Sequence, residues 1–225
     1  MSLIRFACVF CLFATGASAQ EGLTAELLKV EAPDGVAAPL KKELQEVGTR
    51  VLNPDGKPFA EIWLRRSIPT SGKPTAPAGT IQFPIMKEGE LLGVVRYVAE
   101  GHDFRDQTIP LGVYTIRYGL QPVNGDHLGV SPFRDYGLLI PAAKDGELAP
   151  LSRIRLETLS AETTGSSHPA ILMLLRLPTE SKAEPKIVRD EAKNTSGVVI
   201  GLPLAADKAD PQILAVQLVI SGMAM

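Results

Sequence analysis

Short apolar runs separated by proline and glycine are the feature that most constrains the fold of this chain. Its 225 residues include 18 prolines and 20 glycines, and all of them except Gly16 follow residue 19. Proline fixes one backbone angle and removes an N–H donor, whereas glycine permits the positive φ of tight turns. Frequent interruption of this kind favours strands and turns over long helices. We therefore predict an all-β fold, an antiparallel β-sandwich of about eight or more strands with one short inserted helix.

The clearest local pattern is a β-hairpin. Residues 49–52 and 59–64 flank the tetrapeptide Asn53-Pro54-Asp55-Gly56, whose residue types are typical of a turn between antiparallel strands. Alternation over 113–120 predicts a strand with Tyr114, Ile116 and Tyr118 on one face. Other strands are predicted over 27–31, 91–99, 136–140, 171–177, 186–192, 198–202 and 212–220, a loop over 67–79, and a helix over 150–162.

The first nineteen residues have the pattern of a cleavable secretory signal. Arg5 precedes an apolar core over 6–13, and Ala17-Ser18-Ala19 matches the site after which a signal peptidase cleaves. We therefore expect a signal peptide over 1–19, a single mature domain over 20–225, and an exported location, either periplasmic or extracellular. Both cysteines, Cys8 and Cys11, fall within the predicted signal, so no disulfide or thiol chemistry is expected in the mature chain.

The charge pattern argues against nucleic acid as a partner. Removal of Arg5 from 23 basic residues leaves 22 against 25 acidic ones, a net charge of −3 at neutral pH. Basic residues form no run longer than a pair, and nucleic-acid binding requires clustered cations. The longest apolar stretches after residue 19 are also far shorter than the roughly 20 residues of a membrane-spanning helix. We predict no transmembrane segment in the mature chain.

No complete catalytic motif is present, and no catalytic residue is assigned. The sequence lacks G-x-S-x-G, H-E-x-x-H, G-x-G-x-x-G and a phosphate-binding loop. Six of the nine aromatic residues after residue 19, and two of the three histidines, lie between 97 and 136. This concentration makes residues 97–136 the candidate region for a functional site.

The histidines form one candidate site. His102, His127 and His168 fall on three predicted loops, and some catalytic zinc sites use three imidazoles. Asp103 and Asp126 adjoin two of them and are suited to orienting the rings. The spacing matches no established ligand motif, and aspartate beside histidine in a loop also serves as a local backbone cap.

A second candidate is a ligand-binding group at Phe133, Arg134, Asp135 and Tyr136. Arginine and aspartate can hold a ligand carboxylate or sugar hydroxyls, and either aromatic ring can stack on the ligand. The alternative is that the charged pair fixes the loop while the aromatic rings belong to the core.

Three segments resemble uncharacterised exported bacterial proteins. They are GKPFAEIWLRR at 56–66, IPLGVYTIRYGLQP at 109–122 and GDHLGVSPFRDY at 125–136, joined by SSHPAIL at 166–172. The strand at 109–116 is similar, more loosely, to a domain-of-unknown-function family. The resemblance implies a β-rich fold in the cell envelope and brings no catalytic residues.

Two functions follow as hypotheses. The absence of a catalytic motif favours a non-enzymatic periplasmic or surface domain that binds an envelope protein, a glycan or a small ligand, without a cofactor. The alternative is a metal-dependent hydrolase that uses zinc or another divalent metal at the three-histidine site.

Overall fold

The structure is a computed structural model that describes residues 22–125, 131–206 and 210–222. The predicted signal peptide lies outside the described residues. Two of the predicted metal ligands, Asp126 and His127, also lie outside them.

Within these ranges the chain is mostly strand. The strands are β1 Thr24–Leu28, β2 Gly48–Leu52, β3 Pro58–Leu64, β4 Ile68–Thr70, β5 Leu91–Tyr97, β6 Gly101–His102, β7 Thr108–Ile109, β8 Gly112–Leu120, β9 Asp135–Pro141, β10 Ala170–Arg176, β11 Ile187–Asp190, β12 Thr195–Ala206 and β13 Gln212–Ser221. The helices are α1 Ala38–Lys41, α2 Arg153–Thr164 and a 3-10 turn at Ala142–Lys144. The predicted β-rich fold is confirmed.

Ten of the strands follow one another in a single curled sheet. Their order is β1-β2-β3-β5-β8-β9-β10-β13-β12-β11, and β4 adds to β12 as a parallel strand. β10 makes the bend, because residues 170–173 pair with β9 while residues 174–176 pair with β13. The predicted antiparallel sandwich is therefore not confirmed, since the strands form one mixed sheet rather than two stacked layers.

The inner side of the curl holds the main core. Apolar side chains from both halves of the sheet meet there, among them Ile62, Val95, Ile116, Leu172 and Val216, all 1% exposed or less. Burial of these apolar side chains is the main force that stabilises the curled sheet, whose two halves pack against each other.

The hairpin and the alternating strand are both as predicted. β2 pairs with β3 in antiparallel register, and Gly56 in the turn has φ +72°. In β8 the alternation sends Tyr114, Ile116 and Tyr118 into the main core. The predicted loop over 67–79 is wrong in part, because it contains β4.

The other face of β8 carries a buried ion pair. Arg117 and Asp145 have side chains 0% and 1% exposed, and Arg117 Nε and Nη2 donate to the two carboxylate oxygens at 2.6 and 2.7 Å. Nη1 donates to the carbonyl of Gly89 at 2.7 Å. Gly89 has φ +82°, and a Cβ there would lie 2.0 Å from the carbonyl oxygen of Leu151, so only glycine permits this approach.

The helix α2 lies against the outer side of β9 and β10. Leu156, Ser160 and Thr163 recur at helical spacing and are buried, and Gly165, with φ +66°, ends the helix. Ser160 Oγ donates to the carbonyl of Ala170 at 3.2 Å, and Thr163 Oγ1 donates to that of Leu139 at 2.9 Å. The helix predicted over 150–162 is thus present as α2, starting at Arg153 and fixed to both strands, and the short α1 is a second helix that was not predicted. Among the described residues no helix has the length and apolar character needed to cross a membrane.

Candidate functional site

A cleft of about 430 Å³ opens beside α2, on the outer side of the sheet. We call it the α2 cleft. Its walls come from α2, β9, β10 and three loops, and its apolar lining is formed by Leu120, Pro122, Leu138, Ala161, Pro169 and Ile171. Its polar lining is formed by Arg105, Gln121, Asn124, Tyr136, Glu157, Thr158, Ser167 and His168. Apolar walls with a few convergent polar groups are typical of small-ligand sites.

The loop that carries Arg105 is held by a buried aspartate. Asp103 is 1% exposed, and its carboxylate accepts hydrogen bonds from the backbone N–H of Arg105 and Gln107 at 2.8 Å each and from the Gln107 side chain at 2.8 Å. The same carboxylate accepts from the backbone N–H of Ile171 at 3.1 Å. Asp103 therefore joins the Arg105 loop to β10, where Ile171 lines the cleft.

The opposite loop, which carries Gln121, is also fixed. The backbone N–H of Gln121 donates to the carbonyl of Arg134 at 2.7 Å, and Arg134 Nε donates to the carbonyl of Gln121 at 2.8 Å. Arg153 Nη2, from the start of α2, donates to the carbonyl of Leu120 at 3.2 Å. The two loops that carry Arg105 and Gln121 are thus both hydrogen-bonded to the rest of the fold.

Tyr136 places a phenol at the inner wall of the cleft. The residue is 3% exposed, and its hydroxyl lies 3.5 Å from Oε1 of Gln121. Burial raises the pKa of the Tyr136 phenol, while a hydrogen bond with Ser131 and the charge of Arg105 lower it. The phenol therefore stays protonated at neutral pH, and its O–H is directed at Oε1 of Gln121.

Of the predicted metal ligands that the structure describes, His168 lines this cleft. It is exposed, and the turn before it is held by Ser166, whose Oγ accepts from the backbone N–H of His168 at 3.0 Å. His102 lies in β6, where Nδ1 is 3.2 Å from Oδ1 of Asp106. Of the predicted orienting groups, Asp103 has its carboxylate occupied by the four backbone and side-chain donors described above.

The described residues contain no group of three or more His, Cys, Asp or Glu side chains placed to hold a metal ion. Since His127 and Asp126 lie outside those residues, the three-histidine site stays a prediction.

The four predicted ligand-binding residues go to different places. Asp135 is fully buried, and its carboxylate accepts from the backbone N–H of Gln82 at 2.8 Å, from that of Phe83 at 3.1 Å and from Tyr118 Oη at 2.6 Å. Arg134 fixes the Gln121 loop, and Tyr136 lines the α2 cleft. Arg134, Asp135 and Tyr136 therefore do not form one local group around a ligand.

Phe133, the fourth of these residues, lines a second cleft of about 620 Å³ beside β11. Its apolar floor includes Phe104, Met173 and Val219, and its rim carries Arg189, Asp190, Glu191 and Lys193. The rim charges balance, and Lys193 Nζ lies 3.4 Å from Asp190. This cleft is larger, but the α2 cleft has the buried Tyr136 phenol at its inner wall and loops fixed by Asp103 and Arg134, so it is the better defined of the two.

The remaining aromatic residues of the 97–136 region belong to the interior. Tyr97, Phe104, Tyr114 and Tyr118 are all 6% exposed or less. These four residues therefore do not form an exposed stacking platform.

The sequence reasoning missed Arg105, Gln121 and the cleft residues of α2. Arg105 lies two residues after the candidate Asp103, and Gln121 directly follows the strand predicted over 113–120. Neither residue type identifies a site by itself, because the cleft forms only when α2 is placed beside β9 and β10.

Comparison of the chain with protein-family models, with curated proteins and with solved structures found no match. The function is therefore argued from the geometry of the site.

Proposed function

We propose that this protein is an exported, non-enzymatic binding domain whose α2 cleft takes up a small molecule. The observation that carries the proposal is the cleft itself, with six apolar residues on its walls and a buried phenol, amides and a guanidinium directed to one space. Its volume of about 430 Å³ falls in the range of small-ligand sites, roughly 300 to 1,000 Å³. This size favours a small ligand over a protein or a glycan chain.

The arrangement of polar groups supports binding rather than catalysis. A catalytic serine or histidine normally has a hydrogen-bonded partner that orients or activates it. Ser167 and His168 line the cleft and are exposed, and their side chains make no hydrogen bond within the described part of the chain. The buried side chains around the cleft, Asp103 above all, serve to fix its walls.

The exported location rests on the N-terminal sequence pattern. N-terminal sequencing of the protein from an envelope fraction is expected to begin at Gln20. Recovery of the intact N-terminus from the cytoplasm would contradict this part of the proposal.

Cleft-filling variants test the site. N-phenyl-1-naphthylamine, an uncharged fluorescent probe, is expected to bind the wild-type protein and to lose binding in Ala161→Trp, because the indole would occupy the cleft. Ile154→Trp is the matched control, since Ile154 lies on α2, is 80% exposed and does not line the cleft.

Should Ala161→Trp fail to fold, Thr158→Trp makes the same test from an exposed position on the cleft wall. Equal probe binding by the folded cleft variant and by Ile154→Trp would overturn the proposal.

A further inference from the structure

The α2 cleft contains one cation that forms no ion pair with the described residues. Arg105 is the basic residue of its lining and Glu157 the acidic one. Glu157 is already paired, because its Oε1 accepts from Arg153 Nε at 2.9 Å. The Arg105 guanidinium, by contrast, is exposed and makes no hydrogen bond or ion pair with the chain over residues 22–125, 131–206 and 210–222.

The backbone that carries this cation is held in place. Asp103 fixes the backbone of Arg105 by the 2.8 Å hydrogen bond described above, and the N–H of Asp106 closes the turn on the carbonyl of Asp103 at 3.0 Å. A guanidinium on a fixed loop binds an anion at lower entropic cost than one on a mobile loop, because the loop need not be ordered on binding.

The groups around the guanidinium suit the same kind of ligand. Arg105 and Tyr136 line the same cleft, and the Arg105 charge partly offsets the raised pKa of the Tyr136 phenol. A protonated phenol and a guanidinium both donate hydrogen bonds to an oxyanion. The carboxylate of Glu157, held by Arg153, is the one paired acid of the lining.

The rest of the lining is apolar. Leu138 and Ile171 come from neighbouring strands, and Ala161 and Pro169 close the sides. Such walls gain free energy when they bury the apolar part of a ligand, at about 25 cal/mol for each Å² removed from water.

We infer that the ligand of the α2 cleft is an organic anion with an apolar body, whose carboxylate, sulfonate or phosphate pairs with Arg105 while the body packs against Leu138, Ala161 and Ile171. This inference rests on the proposed function, since it names the class of molecule that the same cleft binds.

Two probes that differ by one charged group test it on the purified protein. One is 1-anilinonaphthalene-8-sulfonate, an anion with an aromatic body, and the other is N-phenyl-1-naphthylamine, the same skeleton without the sulfonate. Affinities are measured by fluorescence for wild type, for Arg105→Ala and for Lys29→Ala, a control that removes an exposed cation outside the cleft lining.

We expect Arg105→Ala to weaken binding of the sulfonate probe at least about tenfold, as loss of one charge-assisted hydrogen bond implies, and that of the neutral probe less than about twofold. Lys29→Ala should change neither affinity. Unchanged circular dichroism in each variant shows that the fold is retained.

The outcomes separate the inference from the proposed function. If Arg105→Ala leaves the sulfonate affinity unchanged, or if Lys29→Ala weakens it equally, the inference is overturned. Neutral-probe binding that Ala161→Trp abolishes would then still support the cleft as a ligand site. If neither probe binds the wild-type protein, both proposals fail.

Discussion

Arg117 lies in strand β8 and Arg105 lies in the loop between β6 and β7, and their side chains have opposite environments. The Arg117 side chain is 0% exposed and donates to both oxygens of Asp145 and to backbone carbonyls around it. Arg105 is exposed, and the described residues leave its guanidinium without a hydrogen-bonded partner. A buried charge must be fully paired to be tolerated, so the fold depends on Arg117 keeping its partner Asp145. A charge left unpaired beside apolar walls is instead available to a ligand.

The largest expected effect comes from unpairing Arg117. Asp145→Ala leaves a buried guanidinium without its carboxylate, and we expect a loss of about 3 to 5 kcal/mol in the free energy of unfolding. Urea unfolding measures it. The control is Glu46→Ala, which removes a carboxylate that is 86% exposed and lies 3.6 Å from Arg66, and which should cost about 1 kcal/mol or less. Equal losses in the free energy of unfolding would contradict the claim that breaking the buried pair costs more than breaking the exposed one.

A smaller effect is expected at the aspartate that positions Arg105. Asp103→Asn places an amide N–H₂ among groups that all donate hydrogen bonds, so we expect a loss of about 1 to 3 kcal/mol and weaker binding of the sulfonate probe. Asp106→Asn is the matched control, because Asp106 is exposed, has φ +61°, and asparagine tolerates that angle. Full stability and full probe binding in Asp103→Asn would show that the loop does not depend on Asp103.

Asp135 gives the pH-dependent prediction. Burial raises the pKa of its carboxyl above the ordinary 3.8, and the donors Gln82, Tyr118 and Phe83 only partly offset this. Between the ordinary and the raised pKa the folded state binds more protons than the unfolded state, so this group's contribution to stability falls as pH rises through the folded pKa.

The measurement compares the wild-type protein with Asp135→Asn by urea unfolding from about pH 3 to about pH 7. The variant, although less stable overall, should lack that part of the pH dependence. An NMR titration that places the Asp135 pKa at or below 3.8 would contradict the account.

The smallest expected change in stability is at Arg105 itself. Arg105→Ala should alter the free energy of unfolding by no more than about 0.5 kcal/mol, because an exposed and unpaired side chain contributes little to the fold. Urea unfolding of Arg105→Ala, measured together with Asp145→Ala, completes the comparison of the two arginines. A loss above about 2 kcal/mol would mean that Arg105 has a structural role like that of Arg117.

Local structure was largely predictable from the sequence, because local residue types determine it. Asn53-Pro54-Asp55-Gly56 specifies its turn, and alternation in β8 specifies which side chains face the core. β4 was not predictable, since it has three residues with Pro69 in the middle and forms by pairing with residues 204–206 of β12. The single curled sheet likewise depends on β10 changing partners at Leu174, for which the sequence carries no local signal.

The site was less predictable than the fold. Asp135 was expected to bind a ligand, but the backbone of residues 82 and 83 and the Tyr118 hydroxyl occupy its carboxylate. These partners are distant in sequence, so the inward orientation of Asp135 had no local signature. Arg105 and Ala161 are likewise distant in the chain and share a cleft only because Ser160 and Thr163 fix α2 over β10 and β9.

The most direct test of the central claim is a two-dimensional ¹H–¹⁵N NMR titration of the protein with 1-anilinonaphthalene-8-sulfonate. The account predicts saturable shifts that cluster on Arg105, Gln121, Ala161 and Ile171 and that disappear in Ala161→Trp. Shifts confined to residues 188–195 of the second cleft, or scattered over the surface without saturation, would contradict it.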